Sequence, residues 1–227
     1  WRHYWKLRQA ETGSFGLEEK VYSSMFSLLS VASPLFQFWL KPKTEDCKTF
    51  SNGPLSYETV QTSKENLSPK ISIVIRTYNE EKFLEQTLTA ISKQDEASWE
   101  VILIDSGSED KTIEIAKRFP ITIVSIQQES FHYAKALNLG ARLARGEIVV
   151  NLSAHAVPEN ERWLGELVDP LGDSKVAGVH GAEKPMKGWS SPFEKKILAD
   201  TFGEHYLERT EDDFFSNANS AMRKSDL

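Results

Sequence analysis

The fold is decided by the stretch Ile71-Ser72-Ile73-Val74-Ile75-Arg76-Thr77-Tyr78-Asn79-Glu80. Its first five residues form a short, mostly β-branched apolar run, which is typical of a strand that is buried in a sheet. Asn79 is a residue type that can cap the amino end of a helix, here over residues 80–92. The stretch therefore predicts a buried strand, a polar loop and a helix, in that order.

The same alternation continues along the chain. Further strands are predicted at 101–104, 121–126, 147–152 and 176–179. The helices between them are predicted to start after Ser108, to span 133–144, and to run from Pro158 to Leu167. Alternating strands and helices predict an α/β fold, with a Rossmann-like, mostly parallel sheet and helices on both faces. In such sheets ligands bind at the carboxyl ends of the strands.

Composition narrows the class of protein. A chain of 227 residues can form one α/β domain with an appendage. A formal net charge of −6 argues against a dedicated nucleic-acid binder, which needs a basic face. Cys47 is the only cysteine, so an internal disulfide and a cysteine-based zinc site are excluded. The chain starts at Trp1 and ends at Leu227, and we expect it to be a piece of a longer protein that continues at the carboxyl end.

The residues before the α/β domain differ from it in amino-acid composition. Residues 21–40 carry no charge and are long enough to cross a bilayer. Five serines, Pro34 and Gln37 interrupt them, which favours a helical segment over 1–41 that lies on a membrane surface or docks a partner. Residues 42–69 read as a linker, and 70–227 as the catalytic domain. The expected location is the cytoplasm, at the inner face of a membrane where the first segment binds one.

Polar residues follow each predicted strand. Asp105 is the most informative, because it ends an apolar strand and precedes Ser106-Gly107-Ser108. A carboxylate there can accept a hydrogen bond from a nucleobase or a ribose hydroxyl, or it can satisfy backbone donors of its own turn. Both interpretations stay open. The glycine-rich strings of dinucleotide-binding and P-loop proteins are absent, so another device must neutralise a bound phosphate.

Four motifs in order carry a resemblance to a known family. The stretch 71–80 resembles the opening of family 2 glycosyltransferases, and Ile104-Asp105-Ser106-Gly107-Ser108-Glu109-Asp110 is similar to their second motif. Residues 136–140 and 146–150 resemble the third block and the strand after it. Over about residues 70–224 the resemblance implies an A-type glycosyltransferase fold, an activated sugar donor and inversion at the anomeric carbon.

The resemblance also implies roles for individual residues. It assigns a nucleotide-sugar site to Arg76, Thr77, Tyr78, Asn79, Glu80, Asp105, Ser106, Gly107, His132 and Lys135. It favours Asn217 and Asn219 as residues that bind sugar hydroxyls, because alternate residues of a strand share a face. Glu183, just after the fifth strand, is a further candidate on the sugar or acceptor side, although Lys184 could simply pair with it at the surface.

The metal site departs from the family pattern. An Asp-x-Asp motif normally follows the fourth strand and holds a divalent metal, whereas this chain has Ser153-Ala154-His155. Dependence on Mg²⁺ or Mn²⁺ is therefore doubtful, since carboxylates are the usual ligands. His155 could ligate Mn²⁺, stand protonated near the phosphates, or be an ordinary turn histidine.

These observations predict a glycosyltransferase that moves a sugar from a nucleoside diphosphate to a hydroxyl of a glycan, lipid or polysaccharide. The alternative is a degenerate module that binds nucleotide sugars without transferring them. No catalytic base is assigned, because the resemblance places it in an acidic motif after Leu227. Glu183 and Asp213 are the substitutes within the chain.

Overall fold

The structure is a computed structural model, and it describes residues 2–6, 55–63, 68–96, 98–185, 190–202, 207–209 and 215–227. Nearly all of them belong to one compact unit, formed by Trp1–Leu7, Leu55–Thr210 and Ser216–Leu227. The second unit is formed by Arg8–Pro54 and Glu211–Phe215. Most of the predicted amino-terminal helix, part of the predicted linker, and Asp213 therefore lie outside the described residues.

Within the described residues, nine strands form one sheet in the order β2-β5-β4-β3-β6-β9-β7-β1-β8. The strands are β1 (Arg2–Lys6), β2 (Tyr57–Gln61), β3 (Ile71–Thr77), β4 (Trp99–Asp105), β5 (Thr122–Ile126), β6 (Ile148–Ser153), β7 (Val176–Gly181), β8 (Leu207–Arg209) and β9 (Asn219–Arg223). The four strands β5, β4, β3 and β6 are parallel. Strand β9 runs antiparallel between β6 and β7, and β2 is antiparallel to β5.

Helices cover both faces of the central strands. They are α1 (Leu84–Ser92), α2 (Thr112–Ala116), α3 (Tyr133–Leu143), α4 (Trp163–Val168) and α5 (Pro192–Phe202). Apolar residues of α1, α2 and α4 pack on the face that holds Ile71, Ile73 and Ile75. Helix α3 packs on the opposite face, against Val74. Both faces of a parallel sheet must be covered, and here helices cover both of them. The predicted fold class is therefore confirmed.

The amino end of β4 is fixed by a buried carboxylate. Glu100 accepts hydrogen bonds from the Ser72 hydroxyl at 2.7 Å and from the backbone N–H of Arg145 at 2.8 Å. The Arg145 guanidinium also binds it with two N–H groups. A buried charge is tolerated only with such partners. This network joins β3, β4 and the segment before β6 at the edge of the sheet where these strands begin, opposite their carboxyl ends.

Several predicted boundaries differ from the structure. Neither Asn79 nor Ser108 caps a helix, because α1 starts at Leu84 and α2 at Thr112, and both polar side chains bind across the two loops instead. The predicted linker contains the edge strand β2, and the predicted helical segment 1–41 begins with β1. No described helix is long and apolar enough to cross a membrane.

Candidate active site

The loops after β3 and β4 are locked together by hydrogen bonds. Asn79 donates its backbone N–H to Ser108 Oγ at 2.9 Å, and its side-chain oxygen accepts the Glu109 N–H at 2.9 Å. The Glu80 N–H binds Thr112 Oγ1 at 2.7 Å. Asn79 has a φ of 53°, a left-handed conformation that asparagine tolerates better than most residues. The first predicted binding loop is thus held in shape by the second.

Asp105 lies at the end of β4 and is 2% exposed. One carboxylate oxygen accepts the N–H groups of Gly107 and Ser108, both at 3.0 Å, and the other accepts the Ser108 hydroxyl. Gly107 has a φ of 84°, which favours glycine at this turn. Of the two interpretations of Asp105, the structure contains the hydrogen-bonded turn, and contact with a nucleoside stays a prediction.

Exposed aromatic rings flank these loops. Tyr78, Phe131 and Tyr133 are each more than 40% exposed, although large apolar groups usually avoid water. The Tyr78 hydroxyl accepts a hydrogen bond from the Gln128 amide at 2.7 Å, which fixes the ring position. Flat, exposed rings at the strand ends suit stacking against a planar ligand group.

Arg76 is a partly buried cation at the end of β3. Its guanidinium carbon lies 3.6 Å from the centre of the Tyr133 ring. Burial lowers the pKa of Arg76, and the contact with Tyr133 opposes this effect. Within the described residues, Arg118, Arg145 and Arg223 pair with carboxylates, but no carboxylate pairs with Arg76.

His155 follows β6 and is bound to Glu80. The distance between His155 Nδ1 and Glu80 Oε1 is 2.8 Å. This hydrogen bond raises the pKa of His155, and burial opposes the increase. Glu183 raises the pKa of His155 further, whereas repulsion from Arg76 lowers it. The four side chains therefore belong to one electrostatic cluster at the carboxyl edge of the sheet.

Glu183 lies after β7 and is bound by the Ser216 hydroxyl at 2.8 Å. Burial raises the pKa of Glu183, although the hydrogen bond from Ser216 and the charge of His155 lower it. Lys184 pairs with Glu159 at 2.7 Å. The predicted surface pair between Glu183 and Lys184 is therefore not formed, and the Glu183 carboxylate binds Ser216 and interacts electrostatically with His155 instead.

The remaining predicted residues lie around this cluster. His132 precedes α3, and Lys135 lies in its first turn, on the side of the sheet where Arg76 meets Tyr133. Asn217 precedes β9, so it does not alternate with Asn219 along that strand as predicted. Asn219 is 8% exposed and accepts a hydrogen bond from the Trp163 indole at 3.0 Å. Its amide is therefore engaged inside the protein, and sugar binding by either asparagine stays a prediction.

Comparison with known proteins assigns the family. The sequence profile of Glycosyl transferase family 2 matches residues 72–227, which include the carboxyl ends of β3, β4, β6 and β7. The chain belongs to glycosyl transferase family 2. This confirms the resemblance drawn from the four motifs.

Relatives of this family 2 chain include two O-antigen chain rhamnosyltransferases. It is 30% identical over 120 residues to the O-antigen chain rhamnosyltransferase RfbN of Salmonella typhimurium, covering 52% of the chain and 38% of that protein. It is 27% identical over 168 residues to the O-antigen chain rhamnosyltransferase WbaN of Salmonella anatum, covering 69% of the chain and 53% of that protein. The chain thus spans about half or less of the length of these relatives.

A solved structure supports the fold of the family 2 domain. The mannosyltransferase PcManGT of Pyrobaculum calidifontis, in complex with GDP-Man and Mn²⁺, matches with a TM-score of 0.51 and 22% identity. The match covers 89% of this chain and 54% of that protein. At this identity the likeness shows a shared fold and nothing about ligands.

A divalent metal is common in family 2, but the described residues of its usual slot after β6 include no carboxylate that would hold one. The slot after β6 offers the Ser153 hydroxyl and the His155 imidazole, while Mg²⁺ and Mn²⁺ favour carboxylates. Among the described residues, no group of three or more His, Cys, Asp or Glu side chains could hold a metal ion. In the register of the sheet, Arg76 of β3 lies directly opposite Ser153 of β6. A fixed positive charge therefore stands beside the slot.

Sequence reasoning missed the partners that give these residues their geometry. Tyr133 covers Arg76, Ser216 binds Glu183, and Trp163 binds Asn219. Each pair is more than thirty residues apart, so no local pattern could have revealed it. The only signal was that polar residues gather at the ends of predicted strands.

Proposed function

We propose that this domain binds a nucleoside-diphosphate sugar at the carboxyl edge of its sheet, and that the whole protein transfers the sugar to a hydroxyl group of a glycan or lipid. The observation that carries the proposal is the meeting of two interlocked loops, a guanidinium with no described carboxylate partner, and a partly buried carboxylate at this edge. Family membership supplies the reaction class.

The loops after β3 and β4 supply the nucleoside end of the proposed site. Tyr78 offers an exposed ring for the base, and Asp105 fixes the turn at Gly107 that borders it. Because backbone and side-chain bonds already hold both loops, little conformational entropy would be lost on binding. The same bonds support the assignment of Thr77 and Ser106, since Ser106 donates its N–H and its hydroxyl to the Thr77 carbonyl.

The sugar and the acceptor would lie towards β7 and β9. Glu183 supports this assignment, because a partly buried carboxylate with one bound hydroxyl keeps capacity to accept another. An inverting transfer also needs a carboxylate within hydrogen-bond reach of the attacking hydroxyl. Glu183 is therefore the first residue of this chain to test as an acceptor-binding group or base.

The experiment is a binding screen followed by a transfer assay. Thermal unfolding is measured with UDP, GDP, dTDP and CDP and with their nucleosides, because a ligand that binds only the folded state raises the melting temperature. We expect one nucleoside diphosphate to stabilise the protein and its nucleoside to do so less. The transfer assay then compares the full-length protein with its Glu183→Gln variant, using the sugar nucleotides of that base.

Two results separate the alternatives. If no nucleoside diphosphate binds, the proposed donor site is wrong. If one binds but the full-length protein transfers no sugar to any hydroxyl acceptor tested, the domain is a binding module and the proposed reaction is wrong.

A further inference from the structure

The assignment of the loops after β3 and β4 to the nucleoside does not explain the position and surroundings of Arg76. It is the penultimate residue of β3, and its Cα partner across the strand pair is Ser153 of β6. Residues paired in adjacent strands point to the same face of the sheet. Arg76 therefore lies beside the first residue of the slot in which family 2 enzymes normally have a metal-binding carboxylate.

The guanidinium is held in place, and no carboxylate in the part of the chain that the structure describes neutralises it. Tyr133, at the start of α3, stacks on it at 3.6 Å, on the face where α3 packs. No described carboxylate pairs with it, whereas the exposed Arg145 binds the buried Glu100 with two N–H groups. A guanidinium that is partly removed from water and lacks a counter-ion is costly. An anionic ligand at this position would offset that cost.

Arg76 has the chemistry that a diphosphate requires. A guanidinium is planar, stays charged at neutral pH and presents several N–H donors that can bind two phosphate oxygens at once. An aromatic face restricts it to one plane and leaves its edge free for such bonds.

We infer that the Arg76 guanidinium, positioned by Tyr133, binds the diphosphate of the donor in place of a divalent metal ion. This inference rests on the proposed donor site. It explains why Ser153-Ala154-His155 can stand where carboxylates usually do, since carboxylates beside Arg76 would pair with it. Donor binding then needs no metal, and the negative charge of the leaving diphosphate is stabilised by a fixed cation.

The test compares diphosphate and nucleoside binding in matched variants. Calorimetry with the nucleoside diphosphate found by the screen, and with its nucleoside, is run on the wild type, Arg76→Gln, Tyr133→Leu and Arg118→Gln. Arg118 is the control, because it is an exposed arginine that pairs with Glu85 and Glu114. Circular dichroism and thermal unfolding confirm that each variant is folded.

We expect Arg76→Gln to weaken diphosphate binding about 10- to 100-fold, as the loss of a hydrogen bond to a charged group does, and nucleoside binding less than about threefold. Tyr133→Leu should weaken diphosphate binding about 3- to 10-fold, since the ring only positions the cation. The control should match the wild type. A purely structural role of Arg76 would instead change nucleoside and diphosphate binding by the same factor, which would overturn the inference.

A second arm tests the metal. Diphosphate affinity is measured in EDTA, in Mg²⁺ and in Mn²⁺. We expect wild-type affinities that agree within about twofold, because the counter-charge is part of the protein. A wild type that binds the diphosphate only with a metal, or an Arg76→Gln variant that keeps its affinity, would refute the role of Arg76. Absence of diphosphate binding by the wild type would instead contradict the proposed function.

Discussion

Asp105 offers the sharpest prediction about how the two loops bind a nucleotide. Its carboxylate accepts three hydrogen bonds, and all three donors belong to Gly107 and Ser108. Ser108 in turn accepts the N–H of Asn79 in the first loop. We therefore predict that Asp105 acts on the nucleotide largely by fixing the loops, so that Asp105→Ala and Ser108→Ala damage the same structure.

The magnitude follows from the bonds that are lost. A hydrogen bond to a charged group contributes about 1.5–3 kcal/mol, and bonds that share one carboxylate are not additive. We expect Asp105→Ala to lower the free energy of unfolding by about 3 kcal/mol and Ser108→Ala by about 2 kcal/mol. Because both break the same network, the double variant should lose clearly less than the sum of the two.

Nucleotide affinity should follow the same pattern. Urea unfolding gives the stability of the four proteins of the cycle, and calorimetry gives their affinities for the preferred nucleoside diphosphate. Each single variant should bind at least about tenfold more weakly, a cost near 1.4 kcal/mol. The reasoning is refuted if Ser108→Ala binds like the wild type while Asp105→Ala does not, because the carboxylate would then touch the nucleotide directly.

Three further predictions test other parts of the site. Ser153→Asp should weaken metal-free diphosphate binding about tenfold in calorimetry, since the new carboxylate would pair with Arg76. If the variant instead binds the diphosphate more strongly than the wild type in Mn²⁺, a metal ion rather than Arg76 would hold the diphosphate. Glu183→Gln should lower transfer by the full-length protein. Burial raises the pKa of Glu183 in the folded protein, so the stability that this carboxyl group contributes is present at low pH and is lost as pH rises through the raised pKa. In urea unfolding, Glu183→Gln should therefore gain stability relative to the wild type as the pH approaches neutrality. Gly181→Ala should lower stability by about 1–3 kcal/mol, because the added Cβ overlaps the buried Asn219 amide.

Controls exist for two of these variants. Gly172→Ala adds a Cβ that meets nothing within 4 Å, so its stability should not fall as it does for Gly181→Ala. Glu159→Gln removes an exposed carboxylate that pairs with Lys184, and it should leave both transfer and the pH dependence unchanged. A Glu183→Gln variant that behaves like Glu159→Gln would contradict a role of Glu183 in the site.

The central strands were predictable because their signal is local. Runs such as Ile71–Ile75 can satisfy their backbone groups and bury their side chains only inside a sheet, and the structure has β3 and β4 within two residues of the predicted bounds. The helix starts were predicted wrongly at Asn79 and Ser108. These side chains suit a helix cap, but a partner loop some thirty residues away competes for the same hydrogen bonds.

The sequence predicted which residues belong to the site, but it did not predict their hydrogen bonds and ion pairs. Asp105, His155 and Glu183 were found because they follow predicted strands. Whether each carboxylate is free, bound to a turn or paired depends on contacts such as Lys184 with Glu159. Such contacts depend on the order and register in which the strands assemble, and the strand patterns alone determine neither.

The register of β3 with β6 gives a reason why Ser153-Ala154-His155 replaces the carboxylates that the family usually has in this slot. In the sequence, Arg76 belongs to the motif that resembles the family opening, and the Ser153-Ala154-His155 slot is a separate departure from the family pattern. In the sheet they are neighbours across one strand pair, so one positive charge and the absence of two negative ones act at the same place. Restoring a carboxylate without removing Arg76 would create an ion pair rather than a metal site. Arg76 and the slot therefore form a single electrostatic feature, which Ser153→Asp and Arg76→Gln should disrupt in the same direction.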